Sequence, residues 1–347
     1  MAELMSFASV SLLYRDRAGR IDGIGDYCDR LESELRAEGV DAKTIAWRGR
    51  GIEVSEGAVI VQYNPFSFGR RGFAPRLPID MMLLRRRRPH VLRAVMVHEA
   101  FVPIDSFKTL IMGLWQRLQL RALLLTVNVV MVTTSSWIRL LPSGRKATAI
   151  PVGSNLPDRR DCREQSRRAL GVDDATLVLA SFGSDHPSFL LDFVVAAANG
   201  VAEQHGAVKL LCLGAGTRPM EGLEPRVELY RPGRQTHDGL AMDLSAADIF
   251  LSPLSDGLST RRTTLMAALQ HGLPVVGTEG SRTEPELRGE SGAIEWTSAK
   301  DADEFAAVVA RLARDASELR SRGMEARALY ERSFTWERIA HRILAAL

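Results

Sequence analysis

The sequence predicts an α/β fold in two domains, each built on a parallel sheet, and three observations predict it. A chain of 347 residues is long enough to bury two hydrophobic cores. Short apolar runs of strand length alternate with helical segments through both halves. Glycine-rich or polar turns follow several of those runs, as expected where a strand feeds a helix.

Composition narrows the function classes. With 46% hydrophobic and 25% charged residues the chain falls among soluble globular proteins. A net charge of +3 gives little reason to expect nucleic acid. Cys28, Cys162 and Cys212 are odd in number and far apart, which argues against a disulfide framework or a zinc site and fits a reducing cytoplasm. No basic segment leads into an apolar core at the start, so no secretion signal is expected. Leu110 to Val132 is broken by Arg117 and Arg121 and divides better into a helix and a strand than into a membrane span. No repeat or low-complexity tract is evident.

In order, Ser6 to Leu13 reads as the first strand. Gly23 and Gly25 then open a helix running to about Glu38, ended by Gly39. A glycine pair at a helix start suits a phosphate, and a tight strand–helix connection explains it equally well. Ala42 to Trp47 and Ala58 to Tyr63 are the next strands, and the second ends in Gln62, Tyr63 and Asn64. Polar residues at that edge of a parallel strand lie where α/β folds bind ligands. Phe66 to Leu77 has no clear periodicity and is either an acceptor loop or a surface excursion pinned by aromatics. Met81 to Arg88 is a short basic helix whose arginines, Arg85 to Arg88, form a solvated face or a weak peripheral contact with anionic lipid.

Val91 to Val97 is the fourth strand, with His98 and Glu99 at its end. A histidine there is either a satisfied structural group or a functional one. Ile104 to Leu125 supplies helices, Val127 to Thr134 a strand, and Ser135 to Trp137 a helix start. Pro151 to Pro157 joins the halves. The second half opens with a polar helix near Arg159 to Leu170 and a strand, Thr176 to Phe182. A turn through Gly183, Ser184 and His186 to Phe189 follows. Asp192 to Gln204 is a helix and Val208 to Leu213 a strand ending at Gly214. Gly214 and Gly216 lack the third glycine of a dinucleotide fingerprint. Val227 to Leu229 precedes a loop containing Arg231. A strand near Ala293 to Trp296 and a helix from Ala302 to Leu312 come later.

The informative stretch is Ala247 to Thr278, read as strand, loop, helix, strand. Asp248 to Ser252 is the strand, stopped by Pro253 and by Ser255, Asp256 and Gly257. Ser259 and Thr260 supply N-cap chemistry for a helix from about Arg261 to Gln270, ended by Gly272 and Pro274. Its start offers free N–H groups and a positive dipole, with Arg261, Arg262, Thr263 and Thr264 beside it. A phosphate seat and an ordinary capped surface helix both fit these residues.

Asp248, Phe250, Pro253, Gly257, Gly272, Pro274, Val275, Val276 and Thr278 together resemble the donor-binding segment of retaining GT-B glycosyltransferases (group 1, family 4-like). Those enzymes bind a nucleotide sugar between two Rossmann-like halves. The glycine loop near Gly23, the His98-Glu99 pair, the Ile150 to Gly153 linker and the closing Tyr330 to Trp336 segment extend the resemblance over nearly the whole chain. It implies an N-terminal acceptor-side domain over residues 1–155, a nucleotide-sugar domain over 156–328, and a last helix over 329–347 crossing back to the first domain. It also implies transfer with retention from a UDP- or GDP-sugar, without cofactor or metal, to an acceptor that the sequence does not name. Gln62, Tyr63 and Asn64 fall on the acceptor side. His98 and Glu99 face the sugar, and Arg231 lies beside the base. Gly183 and Gly214 belong to the donor turns, with Asp256, Gly257 and Ser259 to Thr264.

The sequence departs from the family at two places. Counting back from Pro274 puts Ser259 and Ala267 where the family has a glutamate pair; counting from Gly257 puts Asp256 and Thr264 there. The turn before Phe189 lacks the family's Arg or Lys, a role expected here of Arg261 and Arg262, one of which should face the site because helical neighbours diverge by about 100°. These departures leave two alternatives: a non-catalytic partner protein keeping the fold, and a pseudo-glycosyltransferase forming a non-glycosidic bond.

Overall fold

A computed structural model describes residues 9–15, 22–102, 106–142, 144–183, 186–289 and 292–347. The chain divides into two compact units, Met1–Val152 with Trp336–Leu347, and Gly153–Thr335.

The first unit holds a parallel six-stranded sheet in the order β2-β1-β3-β4-β5-β6. The strands are β1 (Ser9–Arg15), β2 (Asp41–Trp47), β3 (Ala58–Tyr63), β4 (Leu92–Val97), β5 (Val129–Val132) and β6 (Thr148–Ala149). All six residues of β3 are buried, as a central parallel strand covered on both faces requires. Its helices are α1 (Gly23–Ala37), the short α2 (Pro65–Phe68), α3 (Arg76–Arg87) and α4 (Phe107–Leu124), joined by the chain's last helix, Trp336–Ala346. That last helix buries Ile339, Ala340 and Ile343, and its Trp336 meets the ring of Tyr27 on α1 edge-on at 5.1 Å.

Several expectations shift here. The expected first strand overlaps β1, but residues 6–8 lie outside the described set, as does the expected helix start at Ile104. The Phe66 to Leu77 segment is not a plain loop: it contains part of α2 and a 3-10 turn at Arg70–Gly72. Of its aromatics only Phe68 is buried, against Tyr63, Tyr14 and Trp47; Phe66 and Phe73 are exposed. The basic helix starts at Arg76, before Pro78, because a proline in the first turn removes an N–H that has no intrahelical partner. Arg85 donates to Leu125 O at 2.9 Å, which ties the end of α3 to the end of α4. Among the described residues no helix is long and apolar enough to cross a membrane.

The second unit repeats the plan with the order β12-β11-β10-β7-β8-β9, again parallel. Its strands are β7 (Leu177–Phe182), β8 (Val208–Leu213), β9 (Val227–Tyr230), β10 (Ile249–Ser252), β11 (Val275–Glu279) and β12 (Ile294–Ser298). Its helices are α5 (Arg163–Ala169), α6 (Leu191–His205), α7 (His237–Ser245), α8 (Thr263–Gln270), α9 (Ala302–Ala313) and α10 (Ala316–Ser333). The small residues Ala197 and Ala198 of α6 let α9 approach closely, and Phe193 meets Phe305 edge-on at 5.7 Å. Both sheets reverse their winding direction once: between β1 and β3, and between β7 and β10. Parallel α/β sheets bind ligands outside the carboxyl ends of strands at such switch points.

Asp248, in the motif stretch, is half-buried at the opposite, amino-terminal edge. It pairs with Arg163 and Arg167 and accepts from Val178 N at 2.7 Å. Its job is to lock α5 to the sheet.

Candidate functional site

The described residues gather chemistry at the carboxyl ends of β7, β10 and β11 in the second unit. The segment after β10 is folded back by a network of backbone bonds. Phe189 and Leu254 form an antiparallel bridge, Ser255 N donates to Ser188 O at 2.8 Å, and Leu190 N donates to Pro253 O at 3.1 Å. Thr278 Oγ1, fully buried, both accepts from Leu254 N at 2.7 Å and donates to Leu254 O at 2.6 Å. Gly257 has φ +83°, and a Cβ there would lie 2.3 Å from Thr283 Oγ1 and 2.5 Å from Gly280 N. Only glycine combines that backbone with that approach. The loop after β10 is thereby pressed onto Gly280 and Arg282, whose N–H donates to Asp256 O at 2.9 Å.

This packing corrects the expected helix start. α8 begins at Thr263, with Arg262 as its N-cap residue and no side-chain cap bond. Ser259 and Thr260 do not cap it; they are buried at 1% and 3% exposure, and Ser259 O accepts from Arg262 N at 3.2 Å. Ser259 Oγ has no hydrogen-bond partner among the described residues, an orphan hydroxyl beside the helix start.

Arg261 and Arg262 also differ from expectation. Because neither lies inside the helix, they do not diverge; both converge on Asp256. Arg261 Nη2 lies 3.4 Å, Arg262 Nη2 3.6 Å and Arg282 Nη1 3.3 Å from its carboxylate. Three guanidinium groups and one carboxylate leave a net charge of +2 in a loop where each side chain is at most 25% exposed. The distances exceed the roughly 2.7–2.9 Å of a tight charge-assisted bond, so the Asp256 carboxylate itself grips each arginine weakly. Arg262 also donates to Ser188 Oγ at 3.2 Å, which brings its charge to the turn after β7 that lacks a basic residue of its own. Ser184 lies outside the described residues. Arg282 was missed in the sequence, although a polar Gly280–Thr283 run directly after a buried strand is a signal that could have found it.

The other donor-side residues have framework roles. Gly183 lets Phe189 pack at 3.4 Å from the position a Cβ would take, and Gly214 has φ +94° with the Phe182 ring 3.2 Å from its would-be Cβ. Arg231 donates to Arg218 O at 2.9 Å and Gly216 O at 3.0 Å, bracing the loop after β8. Thr263 and Thr264 are half-buried on the first turn of α8.

In the first unit, Gly23 and Gly25 form the first turn of α1, at the switch point between β1 and β3. Asp22 caps that helix: its Oδ1 accepts from Gly25 N at 2.9 Å and from Tyr14 OH at 2.8 Å, and its Oδ2 meets Arg15 at 3.1 Å. A carboxylate of the chain itself therefore occupies the anion seat at this helix start. Backbone, phenol and guanidinium bonds hold the Asp22 pKa below the ordinary carboxylate value despite desolvation. Gln62 and Tyr63 are fully buried, and Tyr63 OH accepts from Gln119 at 3.3 Å. Asn64 alone of these three reaches the surface, and its Oδ1 caps α2 by accepting from Phe66 N at 3.0 Å.

His98 is 8% exposed, its ring edge-on to Tyr27 at 4.8 Å, and its Nε2 lies 2.8 Å from Gln62 Oε1. With the amide oxygen as acceptor, Nε2 carries the proton. Burial pushes the His98 pKa down to about 3, so the ring is neutral at pH 7. Gln62 Nε2 and Tyr27 OH have no partner among the described residues, which leaves two buried donors beside this imidazole. Glu99 is half-buried next to it.

Comparison with known proteins agrees with this architecture. Residues 176–315 match the family described as "Glycosyl transferases group 1". Sucrose-phosphate synthase from Thermosynechococcus elongatus superposes with a TM-score of 0.72 at 16% identity, covering 97% of each chain. Anabaena HepE, solved with UDP and glucose, gives 0.66 at 14% identity over 99% of this chain and 100% of its own. WaaG, a glycosyltransferase of lipopolysaccharide biosynthesis, gives 0.62 at 17% identity over 97% and 98%. No curated protein matches by sequence. The fold is GT-B, with two Rossmann-like units.

Proposed function

We propose that this chain is a glycosyltransferase that moves a sugar from a UDP- or GDP-sugar to an acceptor with retention and without a metal ion. The observation that carries the reading is the convergence of Arg261, Arg262 and Arg282 on Asp256 at the start of α8. A departing nucleoside diphosphate needs fixed dipoles and cations aimed at its developing charge. The Thr263 and Thr264 N–H groups, the α8 dipole and the arginines supply both, and Ser259 Oγ is a further donor without a partner.

In same-face transfer the C1–O bond to the diphosphate breaks as the acceptor oxygen bonds to C1, and a phosphate oxygen takes the acceptor's proton. No protein base is needed. A neutral His98 suits a hydrogen-bonding role toward the donor sugar and not proton abstraction, since its low pKa makes it a poor base. Asp22 at the α1 start favours a second reading, a non-catalytic relative, because it fills with negative charge a place where the family's glycine loop approaches the donor.

Calorimetry with UDP and GDP, in EDTA and in magnesium, followed by determination of the product anomer, tests the proposal. Binding unaffected by EDTA and a retained anomer are expected. Nucleotide binding that disappears in EDTA would overturn the metal-free assignment, and absence of binding in either buffer the transferase reading.

A further inference from the structure

The sheet of the second unit has a second open edge, where its strands begin. There a cavity of about 580 Å³ opens, within the roughly 300–1,000 Å³ of small-molecule pockets. Ala247 before β10 and Leu273 and Pro274 before β11 form one side, and Leu319, Met324 and Ala328 of α10 the other. The Met324 side chain is 69% exposed. The helix is held tightly over the strand: a Cβ on Gly323 would lie 2.6 Å from Gly272 O.

His271 lines this cavity at 6% exposure. Its Nδ1 lies 2.8 Å from Ala267 O, and a carbonyl only accepts, so Nδ1 carries the proton. Nε2 is then a bare acceptor, and it has no partner among the described residues. Burial lowers the pKa of this histidine, which keeps the lone pair free at neutral pH. A buried, unmet acceptor in a polar-rimmed cavity is satisfied when a ligand donates to it.

The rim is cationic. Arg320 is exposed and makes no hydrogen bond or ion pair to any described residue, while Arg160 is paired only with Asp158. Arg163 and Arg327 complete four arginines in the lining, set against Asp248 and Glu331 there and Asp158 beside it, so the neighbourhood is net positive. None of these groups belongs to the Asp256 cluster, which lies at the opposite ends of the strands.

We propose that this cavity is a second ligand site that takes a small hydroxyl-bearing oxyanion, with the anion on Arg320 and Arg160 and a ligand hydroxyl donating to His271 Nε2. Leu273 and Met324 cover the apolar face of such a molecule. A sugar or polyol phosphate and a sugar acid share this chemistry, and the two are separated by experiment.

The full chain is titrated with glucose 6-phosphate, gluconate, inorganic phosphate and uncharged glucose, followed by calorimetry and by long-range ¹H–¹⁵N NMR of the His271 ring. Saturable binding of glucose 6-phosphate or gluconate is expected, tighter than phosphate or glucose, with a shift of the His271 Nε2 resonance as it gains a hydrogen bond. Arg320→Glu and Arg160→Glu, both surface changes, should each weaken it about tenfold or more, the size of one lost charge-assisted bond. Arg262→Ala, at the other edge of the sheet, should leave it unchanged. Absence of saturable binding by both hydroxylated anions, an unmoved His271 resonance, or equal loss in Arg262→Ala overturns the proposal, the last by placing the anion in the nucleotide site. Parent-like binding in both charge-reversal variants overturns it as well.

Discussion

Arg262 Nη2 stands 3.6 Å from Asp256 Oδ1, an ion pair too long for a charge-assisted hydrogen bond. Asp256 collects three such loose contacts, so its carboxylate holds the arginines near one point without tying any of them tightly. A diphosphate arriving there meets three cations grouped around one carboxylate. Removing one arginine should cost about 1.5–3 kcal/mol, and UDP or GDP affinity of Arg262→Ala should fall about tenfold or more. Arg261→Ala and Arg282→Ala should fall similarly. Calorimetry in one buffer checks this: parent-like affinity in all three variants would place the diphosphate elsewhere.

The arginine cluster depends on Gly257. A Cβ there must displace Thr283 Oγ1 at 2.3 Å and Gly280 N at 2.5 Å, and φ +83° already disfavours a side chain. Gly257→Ala is expected to separate the loop after β10 from Gly280 and Arg282 while the sheet stays intact. Nucleotide affinity should drop at least as far as in a single arginine variant, with far-UV circular dichroism unchanged. A variant that binds like the parent would show that the packing of this loop is not needed for the site.

Much of the sheet was legible because buried parallel strands are continuous apolar runs: β3 and β8 coincide with the expected Ala58 to Tyr63 and Val208 to Leu213. β6 has only two residues, too few for any pattern. α10 escaped because its buried face is narrow and partly small, Gly323, Ala326, Leu329 and Tyr330, on a helix otherwise rich in charge. Ser259 and Thr260 have the chemistry of a cap, but capping needs a free position before the first turn, and tertiary packing buried both instead. The convergence of Arg261, Arg262 and Arg282 was hidden for a related reason: Arg282 comes from a different strand end, and contacts across a sheet edge leave no spacing in the sequence.

Asp248, part of the motif stretch, should affect stability more than binding. Its carboxylate faces Arg163 and the nearly buried Arg167 and accepts from Val178 N. Asp248→Ala leaves Arg167 without that carboxylate, a loss of roughly 3–5 kcal/mol for a fully buried pair and less here, because Arg163 is 42% and Asp248 17% exposed. Urea denaturation should show a lower midpoint, while any residual folded protein binds nucleotide with parent affinity.

His98 makes a prediction about pH whose sign follows from its burial. In the unfolded chain a histidine takes up a proton near its ordinary value of about 6.5, whereas folded His98 does so only at about 3. Between those values the unfolded state binds the extra proton, so stability attributable to this group is fully present above pH 6.5 and is lost as pH falls toward 3. The slope in that window approaches about 1.4 kcal/mol per pH unit for one proton. His271, whose pKa is also lowered by burial, adds a loss of the same sign, so the wild-type curve reports both. His98→Gln isolates the contribution: it keeps a hydrogen-bonding group beside Gln62 and removes the titration. Urea unfolding from pH 7.5 to 4.5 should give a flatter pH dependence for His98→Gln than for the parent, by close to one proton. Equal slopes would mean that His98 is solvated and able to charge in the folded protein, which would also reopen its use as a base.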